Sequence, residues 1–528
     1  MARNSLVRVG ISIALTLFLS ACAVAHKPAP ATGSRANLVM DGLDLSIMNT
    51  VLLVGFTDIQ ERAYQEPSLD ELFIRGLNGF KSIDPKFELR VFREHAVLFY
   101  KDRPVRDLGK LPGRDMQAWC FVVLRSILMA RKLSPEMHAA NDEVLYKAVF
   151  TSALTDLDAY SRYAPREDAI RNRLVRDGVI GLGVRLDVVP DGAAIQSIVT
   201  EGPADLAGLR IGDVIVEANG VSLKGRTIAD IRRRLDGIIG TNVALRVLRT
   251  GEDSPFGTLA ALDLVVPDTV ASTFTDGILE LHVTRFNQRT TDAVERAVTT
   301  ARNDPTQALK GIVIDLRNDP GGLLDQAIDT ADLFLDSGSI VTLNGRHPGA
   351  YQYYEAHTGD IARGIPIALI VDGKSASASE ILAAALQDNG RAAVVGTVSW
   401  GKGSVQTVRR LPNGGELSLT WARATSPGGV ALHGLGLLPD ICLSGEAPAA
   451  DDVIRQLLDG KHLGQDARRL WRGAKDDAAL HDKLRTDCPP EAHQERALDM
   501  EIARKIVSDP VLLAHAVADD TPQLAVRP

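Results

Sequence analysis

Positive charge, cysteine and long apolar runs are all scarce in this chain of 528 residues, and each shortage excludes something. The 59 lysines and arginines are outnumbered by 67 aspartates and glutamates, giving a net charge of −8. That balance leaves no basic footprint for a phosphate backbone, so no nucleic-acid partner is expected. Cysteine occurs only at Cys22, Cys120, Cys442 and Cys488. Cys120 sits in the apolar stretch Trp119, Cys120, Phe121, Val122, Val123 and reads as a core residue. Only the N-terminal end departs from a soluble profile. Arg3 and Arg8 form a positive region, residues 9–19 an apolar one, and Leu19, Ser20, Ala21, Cys22 match a lipoprotein cleavage box. The run is too short and wrongly flanked for a permanent span. A signal peptide over 1–21 and lipidation of Cys22 are therefore expected, with an uncleaved anchor as the alternative. Residues 22–36, with Pro28, Pro30, Gly33 and Ser34, read as a flexible tether.

The G-x-S-x-G elbow of a Ser-His-Asp hydrolase is also missing. His433, the nearest histidine candidate, reads as a loop or groove residue. What is present instead is Ser375-Ala376-Ser377-Ala378-Ser379-Glu380 and, later, Gly401-Lys402-Gly403-Ser404-Val405-Gln406. Together they offer a hydroxyl nucleophile and a lysine base. The apolar run 365–371 before the first segment reads as a buried strand, and 381–386 after it as a helix. Ser377 thus falls at a helix start, where orphan N–H groups and the dipole favour a developing anion. Ser377-x-x-Glu380 is equally a capping box, in which the hydroxyl only satisfies an N–H. A cap needs one serine, whereas the run of small residues lets a substrate backbone approach closely. Residues 396–402 have P-loop spacing, but Gly403 stands where a magnesium-binding Ser or Thr is required, and a strand rather than a helix follows.

Taken with Leu316-Arg317-Asn318-Asp319-Pro320-Gly321-Gly322, Thr425-Ser426-Pro427-Gly428-Gly429 and Gly434-Leu435-Gly436-Leu437-Leu438-Pro439-Asp440, these segments resemble the carboxyl-terminal processing (tail-specific) proteases of peptidase family S41. The motifs stand in the family's order over roughly residues 140–443. The resemblance implies a serine endopeptidase with Ser377 as nucleophile, Lys402 as general base and Gln406 orienting the lysine. It also implies an oxyanion hole made by the backbone N–H groups of Gly322 and Ala378, with no metal and no cofactor. Such a base must be desolvated, because a free lysine titrates near ~10.4 and would stay protonated. Lowering it to ~7 or 8 costs roughly 4 kcal/mol, which the fold must supply. No Asp or Glu lies within four residues of Lys402 to hold it charged.

Gly181-Leu182-Gly183-Val184, Gly202-Pro203-Ala204, Gly212-Asp213-Val214-Ile215 and Asn219-Gly220 resemble a PDZ domain. In that reading residues 181–184 form a nest for a peptide carboxylate, 184–188 pair with the peptide, and a helix from Thr227 walls the groove. The implied partners are protein substrates with exposed, apolar C-termini. The resemblance, with Ala23 rather than Asp after the cysteine, favours the periplasmic face of the outer membrane, reached through the lipid; an adaptor lipoprotein and the oligomeric state stay open.

The resulting fold class is multidomain α+β. A helical N-terminal region over 37–176 is followed by a β-rich PDZ-like domain over 177–267. An α/β protease core of crotonase or ClpP type spans 268–444, and a helical extension 445–528. In an oxidising compartment Cys442 and Cys488 could pair and pin that extension to the core, although the spacing does not demand it. A non-catalytic scaffold for C-terminal peptides is the competing function, and acyl or thioester chemistry of the crotonase type is a third.

Overall fold

The structure, a computed structural model, describes residues 39–517 apart from 94, 253, 446–448, 461–464, 475–476 and 494–495. The expected signal peptide, Cys22 and the tether lie outside the described residues. No helix among those described is long and apolar enough to cross a membrane.

The N-terminal region is built on the helices Leu45–Arg62, Leu69–Asn78, Met116–Leu133 and Asp142–Leu154. Asp44, Asp115 and Asn141 cap three of them by accepting backbone N–H groups of the first turn. Their apolar faces meet in a core of Phe56, Phe73, Trp119 and Phe150, with Phe73 stacked on Trp119 at 5.1 Å. The helical expectation for this region is incomplete, because an antiparallel sheet of Phe87–Phe92, His95–Tyr100 and Arg103–Lys110 is inserted. Its first hairpin turn is hidden in sequence, since Arg93 takes a φ of 53° without being a glycine. Lys101 and Asp102 likewise take φ values of 51° and 59° in the second turn. Such turns normally advertise themselves as Asn-Gly or Asp-Gly.

In the segment read as a PDZ domain, the antiparallel strands run in the order Phe256–Ala261, Asn242–Leu248, Val214–Ala218, Gly192–Ile198, Val184–Val189. Val184–Val189 is the edge strand, paired on one side only, so its other side can accept an added strand. The expected groove helix is Ile228–Leu235, capped by Thr227. Gly181 is spoken for in part: it ends the strand Val179–Gly181, which pairs with Asp263–Val265. Leu182 is buried, and Gly183 turns the chain into the edge strand with a φ of +75°.

A second sheet carries the motifs. Its order is Val270–Thr275, Ile278–Val283, Gly311–Asp315, Ile367–Val371, Ala393–Gly396, Ile441–Cys442, parallel except for the first pair. The three central strands are buried along their whole length, which is why they read as continuous apolar runs instead of alternating ones. Helices Thr290–Arg302, Leu324–Asp332 and Ala378–Asp388 pack into the same core. A further sheet includes the hairpin Ser404–Arg410 with Glu416–Thr425, turned at Gly414 with a φ of +85°. Leu411, Leu417 and Leu419 on this hairpin join the N-terminal core.

The extension is helical, as expected, and it closes the other face of the parallel sheet. Helix Ala497–Ser508 packs Ala503 and Val507 against Val313, Ala368 and Ile370. Cys442 and Cys488 form a disulfide, and Cys120 is a free, buried thiol.

Candidate active site

Strand Ile367–Val371 runs into a tight loop that ends at Ser377, and helix Ala378–Asp388 begins at the next residue. Ser377 is half-buried and has φ 60°, ψ −113°, a backbone state that non-glycine residues rarely adopt. It costs on the order of 1–3 kcal/mol and persists only where the surroundings hold it. Here the surroundings are the Asp319-Pro320-Gly321-Gly322 turn. Ala376 donates its N–H to the Asp319 carbonyl at 2.9 Å, and Ser379 Oγ donates to the same oxygen at 3.1 Å. Gly321, with φ +86°, lies so close that a Cβ there would stand 2.4 Å from the Ala376 carbonyl and 2.7 Å from the Ala378 nitrogen. Gly322 is pressed on the Phe286 carbonyl, where a Cβ would come within 1.9 Å. Only glycine fits either position.

Among the described residues the N–H groups of Gly322 and Ala378 donate to no acceptor. In the short bridge between Phe286 and Gly322, the bonds are made by Phe286 N–H to the Gly321 carbonyl and Leu323 N–H to the Phe286 carbonyl, which bypasses Gly322 N–H. Ala378 opens its helix, so its N–H has no carbonyl one turn back. Two unused donors therefore flank Ser377.

Glu380 ties this loop to the lysine loop. The carboxyl group is fully buried, and it accepts Ser377 N–H at 2.6 Å, Gly401 N–H at 2.7 Å, Lys402 N–H at 2.9 Å and Ser399 Oγ–H at 2.5 Å. Burial pushes its pKa up, against these four hydrogen bonds, which favour the carboxylate. The capping box seen in the sequence is thus real, and the same carboxylate also fixes the turn that bears Lys402.

Lys402 is half-buried, and its Nζ lies 5.2 Å from the centroid of the Tyr160 ring. Burial, then the nearby Arg162 and Arg285, push its pKa below the ordinary lysine value, while Glu380 pulls the other way. No hydrogen bond joins Lys402 Nζ to Ser377 Oγ in this conformation. Gln406 is not on the lysine either: its Nε2 donates to Ser404 Oγ at 2.9 Å and to Thr420 Oγ1 at 3.3 Å. His433 lines a cavity of about 30 Å³ with Tyr64, Asp158 and Thr420, and meets Tyr160 edge-on at 6.2 Å. Among the described residues no group of His, Cys, Asp and Glu side chains could hold a metal ion.

Sequence reasoning missed two residues of the site. Tyr160, whose hydroxyl accepts from Trp400 Nε1 at 3.4 Å, comes from the loop after helix Asp142–Leu154, far from the motifs in the chain. Asp319 is buried, and its pKa is pushed up to about 7 by that burial, opposed by the Gly321 N–H, which it accepts at 2.8 Å. Its position inside the Asn318-Asp319-Pro320-Gly321-Gly322 turn was the available signal.

The model of peptidase family S41 matches residues 277–443, and a PDZ domain model matches 195–249. A carboxy-terminal-processing protease of Bartonella bacilliformis is 35% identical over 328 residues, covering 62% of this chain and 73% of that protein. A CtpA-like serine protease of Staphylococcus aureus is 32% identical over 307 residues, covering 57% of this chain and 61% of that one. The solved photosystem II D1 C-terminal processing protease aligns with 71% of this chain and 93% of its own, at 24% identity and a TM-score of 0.35. With the S41 model lying over the sheet that carries Ser377 and Lys402, and a relative matched across most of its length, the chain belongs to peptidase family S41 and is a serine-type peptidase.

Proposed function

We propose that this peptidase is a lipid-anchored periplasmic endopeptidase that cleaves proteins recognised by their C-terminal residues, with Ser377 as nucleophile and Lys402 as general base. The observation that carries this reading is the pair of unused N–H donors, Gly322 and Ala378, on either side of a serine held at an unusual φ. They suit a tetrahedral oxyanion, where charge develops only in the transition state. Ser377 Oγ attacks the scissile carbonyl as neutral Lys402 takes its proton, and the lysine then protonates the departing amine. Water, activated by the same lysine, releases the acyl group from Ser377. For this the lysine side chain leaves the Tyr160 face and turns to Ser377, where Gln406 can steady it. The depressed lysine pKa supports the base role, because the neutral amine is then within reach near neutral pH.

Recognition of C-termini is supported by the open side of strand Val184–Val189 beside helix Ile228–Leu235, and by the processing activity named for the Bartonella relative. Residues 181–184 hold the terminal carboxylate in this reading. Cys22, after Leu19, Ser20 and Ala21, carries the lipid, and Ala23 favours the outer membrane.

The test is incubation of the membrane-extracted chain with an unfolded protein bearing an apolar tail. Cleavage is expected, absent in Ser377→Ala and weakened when the tail is amidated. Equal cleavage by the Ser377→Ala protein overturns the nucleophile, and a non-cleaving wild type that still binds the tail turns the reading to a peptide scaffold. Intact mass decides the anchor: a diacylated or triacylated N-terminus at Cys22 is expected, abolished in Cys22→Ser.

A further inference from the structure

The extension contributes more than a cover for the sheet. Between helices Ala478–Leu484 and Ala497–Ser508, residues 485–493 cross behind the loops that leave three neighbouring central strands. At the first loop Arg317 Nη1 donates to the His493 carbonyl at 3.1 Å. At the second, Gly373 N–H donates to the Glu491 carbonyl at 2.7 Å, and His493 N–H to Asp372 Oδ2 at 2.9 Å. The other oxygen of Asp372 accepts Asn318 N–H at 3.0 Å, joining the first two loops. At the third, Thr397 Oγ1 pairs with the Glu491 backbone at 3.2 Å. One strap thus touches the loops bearing Gly322, Ser377 and Lys402, and the Cys442–Cys488 disulfide fastens it to the last strand of the sheet.

Arg485 occupies the end of the strap nearest the lysine. Its Nη1 donates to the Leu435 carbonyl at 2.5 Å. It lies so close to the glycine backbone that a Cβ on Gly401 would stand 3.2 Å from Nη1, and one on Gly436 3.1 Å. Gly401 is therefore held from both sides: its N–H is on Glu380 and its carbonyl accepts Gly434 N–H at 2.9 Å, while the guanidinium closes over it. Burial lowers the Arg485 pKa and the charge of Glu380 opposes this, so the guanidinium lies within electrostatic reach of the carboxyl group that holds the Lys402 amide. A guanidinium can serve several acceptors in one plane, which a lysine ammonium does only in part.

We propose that Arg485 is a positioning residue for the lysine-bearing turn, and that the disulfide-fastened strap 485–493 is a structural part of the catalytic centre. The inference rests on the reading of Lys402 as the base. It places functional weight on a segment that lies beyond the residues matched by the S41 model.

The experiment uses the full chain in detergent with Arg485→Ala, Arg485→Lys and the double variant Cys442→Ser/Cys488→Ser. Two quantities are read: amide hydrogen exchange across residues 398–406, with strand Val184–Val189 as internal reference, and kcat and KM on an unfolded protein substrate. Arg485→Ala is expected to speed exchange at 398–406 about tenfold and to lower kcat by roughly tenfold to a hundredfold with KM within about twofold, as misplaced catalytic groups do. Arg485→Lys recovers part of both, and the cysteine variant shifts them in the same direction. Unchanged exchange and kcat within about twofold of wild type in Arg485→Ala overturn the proposal. If that protein does not fold, the same two values in Arg485→Lys and the cysteine variant decide it, unchanged in both being the overturning result. Faster exchange in Arg485→Ala with no cleavage by the wild type leaves the positioning role standing and removes the proteolytic reading instead.

Discussion

Glu380 Oε2 accepts the backbone N–H of Lys402 at 2.9 Å, so a helix that starts at the serine holds the turn that carries the lysine. The same oxygen accepts Ser377 N–H at 2.6 Å. Serine and lysine are thereby fixed relative to one another through backbone, while the lysine side chain lies against the Tyr160 ring.

Glu380→Gln keeps the shape and exchanges one acceptor oxygen for a donor that faces N–H groups already present. Each hydrogen bond to a buried charge is worth about 1.5–3 kcal/mol, and an orphaned donor adds its desolvation cost. We expect a loss of roughly 2 kcal/mol or more in urea unfolding, and a fall in kcat larger than the fall in kcat/KM expected from binding alone. A variant with wild-type kcat and an unshifted urea midpoint contradicts the clamp.

Lys402 has a depressed pKa, caused first by burial, and in the proposed mechanism the free amine is the active form. Turnover therefore rises with pH through that pKa. The Tyr160 ring presents its negative face to the ammonium, which stabilises the charged form by about 0.5–1 kcal/mol. In Tyr160→Leu the rising limb of the pH–kcat profile should move to lower pH. Lys402→Arg should be inactive at every pH, because a guanidinium does not deprotonate in this range. A Tyr160→Leu limb that stays in place or moves to higher pH rules out the ring as a partner of the base.

Asp319 titrates at about 7 in the folded chain against an ordinary value of 3.8, with burial as the main cause. In the unfolded chain the carboxyl group loses its proton from about pH 4 upward, whereas the folded chain keeps it. The native state then binds more protons, so stability falls as pH rises across that window and levels off above about 7. The full penalty is on the order of 4 kcal/mol. Asp319→Asn retains an acceptor for Gly321 N–H and cannot ionise. It should flatten the decline in unfolding free energy between pH 4 and 7, measured by urea titration at a series of pH values. A slope identical to wild type shows that the buried carboxyl does not control it.

The chemistry of the site was legible because its residues sit in short local patterns. Ser377 beside a helix start, Gly321 and Gly322 after a buried strand, and Lys402 between two glycines each announce themselves within a few residues, since loop backbone and helix capping are local matters. The edge strand Val184–Val189 and the helix capped by Thr227 were legible for the same reason. The sheet Phe87–Phe92, His95–Tyr100, Arg103–Lys110 was not, because its turns use Arg93, Lys101 and Asp102 at positive φ and its strands are held by packing on the helical core.

By itself, then, the sequence determined which groups can react and what backbone each needs: a hydroxyl at an anion-stabilising helix end, bare amides on a glycine turn, an amine without a neighbouring carboxylate. Tertiary structure decided what those groups experience. Tyr160 reaches Lys402 from an N-terminal loop, Gln406 turns to Ser404 and Thr420, and Arg485 closes over Gly401 from the extension. Burial, charge and reach depend on chain segments separated by tens to hundreds of residues, and no local pattern encodes which distant segment will fold against which loop.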